Sequence, residues 1–362
     1  MEDEQLTNDE SQDRLLKIYL SGILPYLGVP GIDGKPPIEG VAEVMINRHD
    51  DIWIERHGQL MRVPETVEAQ CLENLAVMLA KITRNTGGEG SILTVYRWGL
   101  RIAIAMSPTS WMGTSMSIRR KVQVHVPLEN YARNAVFGVP DEIPDPTTRE
   151  ELMEWLRLVV SKRKTIIVSG GTSSGKTTFL NALLSCIPEE ERVLTIEDSP
   201  ELEPSSPNLV RLVVSETLGI TTRDLIRLAL RFRPDRIIIG EVRGAEALDM
   251  LDACNTGHDG SLTSIHANNP LQALERLETL VLRAGVDWPH AAIRQTIGST
   301  IHYVIQMRKN RDGHRVISNI LALEGVREDG SYRFRNIHID NNASQPSTTP
   351  VMEVAAPCLL SA

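Results

Sequence analysis

Residues 165–178, Thr-Ile-Ile-Val-Ser-Gly-Gly-Thr-Ser-Ser-Gly-Lys-Thr-Thr, constrain this chain more than any other stretch. The β-branched run at 165–169 predicts a buried strand. It leads into Gly170-x-x-x-x-Gly175-Lys176-Thr177, the spacing of a phosphate-binding loop. Across Gly170, Gly171, Thr172, Ser173, Ser174 and Gly175 the glycines let the backbone fold tightly, so that successive N–H groups point at one phosphate. Lys176 adds a point charge near the β/γ-phosphates, and the Thr177 hydroxyl, next to Thr178, can ligate Mg²⁺. Residues 179–185 predict a helix whose positive end faces the same anion. A glycine-rich turn before an ordinary helix is the bland alternative. The strand before and the helix after favour a nucleotide, with ATP and Mg²⁺ as the expected ligands.

At 362 residues the chain has room for two domains with sizeable cores. A formal charge of −9 argues against gripping nucleic acid through the field of the whole molecule, so no stable direct nucleic-acid binding is expected. Cys71, Cys186, Cys254 and Cys358 lie far apart without a C-x-x-C pair, which fits reduced thiols in a cytoplasm and gives no zinc module. The acidic start has no apolar core of a signal peptide, and no apolar run approaches the ~20 residues of a membrane span. The expectation is a soluble or at most peripheral protein.

Residues 1–10 are polar and expected to fray. A helical stripe from Leu15 to Leu24 then breaks at Pro25. Residues 42–47 and 52–56 predict paired strands around a turn, a further strand follows at 60–63, and the spacing of Val67, Cys71, Leu75, Leu79 and Ile82 predicts a helix. Strands at 92–96, 101–106 and 115–119 complete a small α+β domain, taken as residues 1–137. The proline-rich 138–150 reads as a linker. From 151 to 340 strand and helix alternate, the signature of a mainly parallel sheet covered on both faces. Predicted strands at 192–196, 209–214, 236–240 and 261–266 carry helices between them, and 301–307, 316–324 and 332–337 read as a closing meander. The Ser/Thr/Pro/Ala-rich 341–362 is expected to be a disordered tail.

Ligands of open α/β sheets bind at the carboxyl ends of strands. Three polar clusters follow predicted strands here: Glu197-Asp198-Ser-Pro-Glu201, Gly240-Glu241-Val-Arg243, and Gly257-His258-Asp-Gly260 with Thr263 and His266 on the strand it opens. One carboxylate after a strand is weak evidence, but three clusters in one phosphate-loop domain are strong. The segments 233–243, 256–268 and 195–202 resemble the Walker B, His-box and acidic-box segments of the type II/type IV secretion traffic ATPases. The resemblance spans roughly residues 38–325. It implies an α/β fold in which a RecA-like P-loop ATPase domain follows a smaller α+β N-terminal domain that covers the nucleotide. It also implies a homo-oligomeric, hexameric ring, cytoplasmic and peripherally associated with the inner membrane, docking on inner-membrane components of its machine. The conjugation/type IV secretion branch fits best, with tight-adherence pilus ATPases close.

Within that resemblance Glu241 is the residue to position or polarise the attacking water. Gly240 stands where many P-loop proteins carry an Asp, so carboxylates for the Mg²⁺ water shell must come from Glu197, Asp198 or Glu201. His266 is expected to contact the γ-phosphate; a buried structural histidine is the alternative. His258 is a weaker candidate of the same kind. Arg243 suits an ion pair as well as a phosphate. Arg101 and Arg119 fall on adjacent predicted strands, in segments matching those that bring two arginines to the nucleotide in the family, and Arg120 replaces Arg119 if the register slips by one. A DNA motor and a non-hydrolysing ATP-binding scaffold stand as alternative readings.

Overall fold

The structure, a computed structural model, describes residues 2–29, 31, 34–83, 88–120, 143–285 and 287–339. Two sheets organise it. The first unit holds α1 (Glu2–Tyr19), a 3₁₀ turn (Ser21–Leu27), β1 (Val41–Arg48), β2 (Asp51–Arg56), β3 (Gln59–Val63), α2 (Ala69–Ile82), β4 (Ile92–Arg97), β5 (Leu100–Ala105) and β6 (Ser115–Arg120). Its strands run antiparallel in the order β3-β2-β1-β6-β5-β4. Successive strand residues point to opposite faces. Ile102, Ile104, Met116 and Ile118 therefore pack with Leu72, Leu75 and Leu79 of α2. Ala103 and Ala105 point the other way, into the core of the second unit. The acidic start, expected to fray, is helical from Glu2.

The second unit holds α3 (Arg149–Ser161), β7 (Ile166–Gly170), α4 (Lys176–Leu184), β8 (Val193–Glu197), β9 (Leu209–Val213), α5 (Thr222–Ala229), β10 (Arg236–Ile239), α6 (Glu246–Asn255), β11 (Leu262–Ile265), α7 (Pro270–Arg283), α8 (His290–Thr300), β12 (Tyr303–Lys309), β13 (Arg315–Val326) and β14 (Tyr332–Ile337). The sheet order is β14-β13-β12-β7-β11-β10-β8-β9. The strands from β12 to β9 are parallel, and β13 and β14 add an antiparallel edge. Apolar clusters cover both faces of this sheet. That is why β7, β8 and β10 read as mainly apolar runs and all four residues of β11 are buried. A P-loop α/β unit thus follows a smaller α+β unit.

Two helices were not foreseen. Helix α3 starts inside the stretch read as linker, at a capping box between Thr148 and Glu151. Helix α8 follows Pro289 and contains Gly298, which weakens its helical pattern. It has a topological effect. The segment read as the first strand of a meander follows a crossover helix, so β12 pairs in parallel with β7, Ile305 opposite Val168. The end of the expected first domain, the first part of the linker and the expected tail lie outside the described residues.

The units meet along β9. Trp111 N donates to Arg211 O at 2.9 Å, and Val213 N to Thr109 O at 2.8 Å. Arg233 grips Glu55 with both arms, Nε to Oε2 at 2.8 Å and Nη2 to Oε1 at 3.2 Å. Fully buried Arg192 donates to Asn47 Oδ1 at 2.5 Å, to Phe232 O at 2.9 Å and to Asn208. Burial pulls its pKa down to about 10, with Glu43 opposing. Arg192 and Arg233 lie just before β8 and β10, at the end of those strands opposite Glu197 and Glu241.

Candidate nucleotide site

The loop between β7 and α4 has the geometry its sequence asks for. Ser173 (φ 59°) and Gly175 (φ 90°) occupy left-handed backbone, which turns the chain sharply into the N-terminus of α4. Lys176 is buried and folds back over the loop, with Nζ donating to Gly170 O at 3.2 Å and Gly171 O at 3.1 Å. Burial lowers its pKa, and Glu241 opposes the shift. These carbonyl contacts keep the ammonium satisfied until a stronger anion arrives.

A cavity of about 570 Å³ opens above the loop. It is lined by Thr172, Ser173, Lys176 and Thr177 from the loop, and by Glu197, Asp198, Glu201, Glu241, Arg243 and His266 from the strand ends. The first two predicted clusters and His266 of the third thus converge because β8, β10 and β11 are neighbours in a parallel sheet and end at the same level, while residues 257–260, just before the start of β11, stay outside.

Inside the cavity the polar groups form one line. Lys176 Nζ stands 3.3 Å from His266 Nδ1, and His266 Nε2 stands 3.0 Å from Glu241 Oε1. The other oxygen of Glu241 accepts from Arg243 Nη2 at 2.7 Å, and Arg243 Nη1 donates to Asp198 at 2.6 Å. An ammonium at Nδ1 requires a lone pair there, which assigns the proton of neutral His266 to Nε2, facing Glu241. Burial first of all holds His266 below the ordinary histidine range; Glu241 opposes this, while Lys176 and Arg243 add to it. The Arg243 pKa is raised, chiefly by its hydrogen bond to Glu241.

Glu197 ends β8 with Oε1 accepting from the N–H groups of Glu201 (2.9 Å) and Leu202 (2.8 Å). Its buried Oε2 has no hydrogen-bond partner among the described residues, and burial raises its pKa. An orphaned carboxylate oxygen in the same cavity as the Thr177 hydroxyl fits Mg²⁺ held through phosphate and water. Among the described residues no group of three or more His, Cys, Asp or Glu would hold a metal alone.

Other expected residues lie elsewhere. His258 is half-buried behind α6, its Nδ1 3.1 Å from Ala253 O, and does not line the cavity. Thr178 is exposed on α4, also outside the lining. Arg101 and Arg119 are direct cross-strand partners, but they line a second cavity of about 570 Å³ with Tyr96, Arg97, Trp98 and Arg120. That cavity and the loop cavity have no lining residue in common. Arg120 points to the opposite face and donates to the carbonyls of Tyr26, Ile38 and Val41, a structural role. Two features escaped the sequence. Thr222 joins the cavity lining from α5, and Ser264 Oγ ties β11 to Gly240 O at 2.8 Å. No motif marks either; both depend on strand order.

Residues 89–321 match the family described as Type II/IV secretion system protein. The type IV secretion system protein PtlH of Bordetella pertussis is 31% identical over 344 residues, covering 88% of this chain and 99% of that protein. The conjugal transfer protein TrbB of Rhizobium radiobacter is 34% identical over 295 residues, covering 80% and 85%. The crystal structure of the VirB11 ATPase from the Brucella suis type IV secretion system, in complex with sulphate, superimposes with a TM-score of 0.73 at 29% identity, covering 86% of this chain and 96% of that one. With a phosphate loop, an acidic segment and a glutamate–histidine pair gathered at the carboxyl ends of neighbouring strands, the chain belongs to the type II/IV secretion system protein family, among its type IV secretion and conjugal transfer members.

Proposed function

We propose that this protein is a ring-forming ATPase whose hydrolysis cycle moves its two units and powers a type IV secretion or conjugative-transfer machine. The observation that carries the reading is the row Lys176–His266–Glu241–Arg243–Asp198 across the phosphate-loop cavity, each group within 3.3 Å of the next. The loop N–H groups and α4 hold the β-phosphate, and Lys176 exchanges its carbonyl partners for β/γ oxygens. Glu241 orients a water on the γ-phosphorus and takes its proton as the P–O bond to ADP breaks. Mg²⁺, when bound beside Thr177 and the Glu197 carboxylate, supplies neutralisation of phosphate charge. His266 contacts both Lys176 and Glu241, so a change at the γ-phosphate is felt at the base through one imidazole.

Arg101 and Arg119 line no part of that cavity in their own chain. We infer that they reach the nucleotide of a neighbouring copy, which makes the site depend on a ring, six-membered as the resemblance implies. Among the described residues no helix is long and apolar enough to cross a membrane, in keeping with peripheral association at the inner membrane. Two variants test the chemistry. Lys176→Ala should abolish ATP binding, while Glu241→Gln should retain ATP and lose phosphate release by about a hundredfold or more. Wild-type phosphate release by Glu241→Gln would refute the assignment of the base.

A further inference from the structure

The loop cavity accounts for one end of a nucleotide only. Its lining comes from the phosphate loop, from β8, β10 and β11 and the segments that follow them, and from α5; nothing from β12 or β13 takes part. Glu241 and His266 place the γ-phosphate on the β10–β11 side of β7. The nucleoside must then lie on the other side of the loop, toward β12 and β13. From β11 to β13 is three strand spacings, roughly 14 Å, a span that an extended nucleoside triphosphate covers.

On that side stands one arginine with no assigned purpose. Met307 of β12 pairs with Gly170, so the β12–β13 hairpin continues past the end of β7. Arg315, opposite Lys309 at the start of β13, is thereby brought over the loop. Its side chain lies directly against Gly175: a β-carbon built there would stand 3.1 Å from Arg315 Cγ and 3.2 Å from its Cβ, and closer still to Cδ. The residue is exposed, and its guanidinium makes no hydrogen bond or ion pair among the described residues. A long cation is thus laid over the last glycine of the loop, on the side away from the hydrolytic groups. Gly175 contributes to that arrangement, since any larger residue would displace Arg315 as well as strain the φ of 90°.

We propose that Arg315 binds the nucleoside half of ATP, its planar guanidinium lying on the face of the base. This inference rests on the nucleotide reading of the loop. Arginine suits the task because its delocalised cation is weakly hydrated and stacks on aromatic faces, while its stem already packs on Gly175. Contact at the base rather than the terminal phosphates means that ATP and ADP benefit alike.

The test uses the full chain, with Arg315→Ala, Arg315→Lys and a control, Arg311→Ala, at the exposed tip of the same hairpin. ATP, ADP and inorganic tripolyphosphate are titrated against each. Arg315→Ala should weaken ATP and ADP by the same factor, roughly tenfold, and leave tripolyphosphate unchanged. Arg315→Lys should behave like the alanine variant, since lysine lacks the flat face, and Arg311→Ala like the wild type. Unchanged ATP and ADP affinity in Arg315→Ala overturns the assignment, as does an equal loss for tripolyphosphate or for Arg311→Ala, which would point to bulk charge. A wild-type chain that binds tripolyphosphate but neither nucleotide, or none of the three, overturns the nucleotide reading itself.

Discussion

Arg243 Nη2 donates to Glu241 Oε2 at 2.7 Å while Nη1 of the same guanidinium reaches Asp198 at 2.6 Å, so one arginine fixes the segments after β8 and β10 relative to each other. The two carboxylates face one cavity and repel; the fork between them offsets that repulsion. The other oxygen of Glu241 lies 3.0 Å from His266 Nε2 but accepts no hydrogen bond among the described residues, so Arg243 alone fixes the carboxylate.

Arg243 acts as a positioning residue for Glu241. Arg243→Ala should lower the turnover of bound ATP by about fivefold, a modest figure because the guanidinium is 60% exposed and screened by water. KM for ATP should change far less, because the loop and Lys176 are untouched. Steady-state kinetics separate the two parameters. A variant whose KM rises with kcat intact would instead place Arg243 on the phosphates.

Arg101 and Arg119 should distinguish ATP from ADP. Each is a rigid fork suited to phosphate oxygens, and a lost charge-assisted contact costs about 1.5–3 kcal/mol, roughly ten- to a hundredfold in affinity. Arg101→Ala and Arg119→Ala should weaken a non-hydrolysable ATP analogue by that factor, with little effect on ADP. The loss should appear only at protein concentrations where copies associate. Equal, small effects on both nucleotides would leave the pair as solvated strand charges.

His302 should make stability fall with acid. Its Nδ1 accepts from Thr165 N at 3.1 Å at the entry to β7, and burial first, then Lys164, holds its pKa below the ordinary 6.5. The unfolded chain takes up the proton at the ordinary value while the folded chain resists, so stability is lost as pH falls from there toward the depressed folded value. His266 works in the same direction. Glu43 and Glu197 have pKa values raised by burial, so their contribution is largest below 4.5 and fades as pH rises through the folded values. The His302 share is therefore isolated by difference. Between about pH 7.5 and 5.5 the urea midpoint of His302→Gln should fall less than that of the wild type. Parallel slopes would remove His302 from the linkage.

The phosphate loop, the carboxylates after β8 and β10 and the alternation of strand and helix were legible because each depends on local chemistry: glycines where the backbone turns, carboxylates where parallel strands end. Helix α8 was not, because it buries only Ile293, Ile297, Gly298 and Thr300, too short an apolar stripe to stand out, and with it went the parallel pairing of β12. Position across units was equally hidden. The pairing of Arg101 with Arg119 follows from a hairpin, but no motif says that the cavity they line, built from β4, β5 and β6, is separate from the phosphate-loop cavity. Arg315 lies far from every motif and meets Gly175 only because β12 joins β7 in one particular register.

The loop at residues 107–113 does more than join two strands. Ser110 bridges Leu212 in antiparallel fashion, and the neighbouring backbone bonds to Arg211 and Val213 extend that ladder along β9. β9 is the last strand on its side of the large sheet, and an uncovered edge strand offers its peptide groups to any passing chain. The N-terminal unit is thus a guard against self-templating. Produced without it, the C-terminal unit would keep its phosphate loop but recruit copies of itself edge to edge, losing solubility before losing its ability to fold.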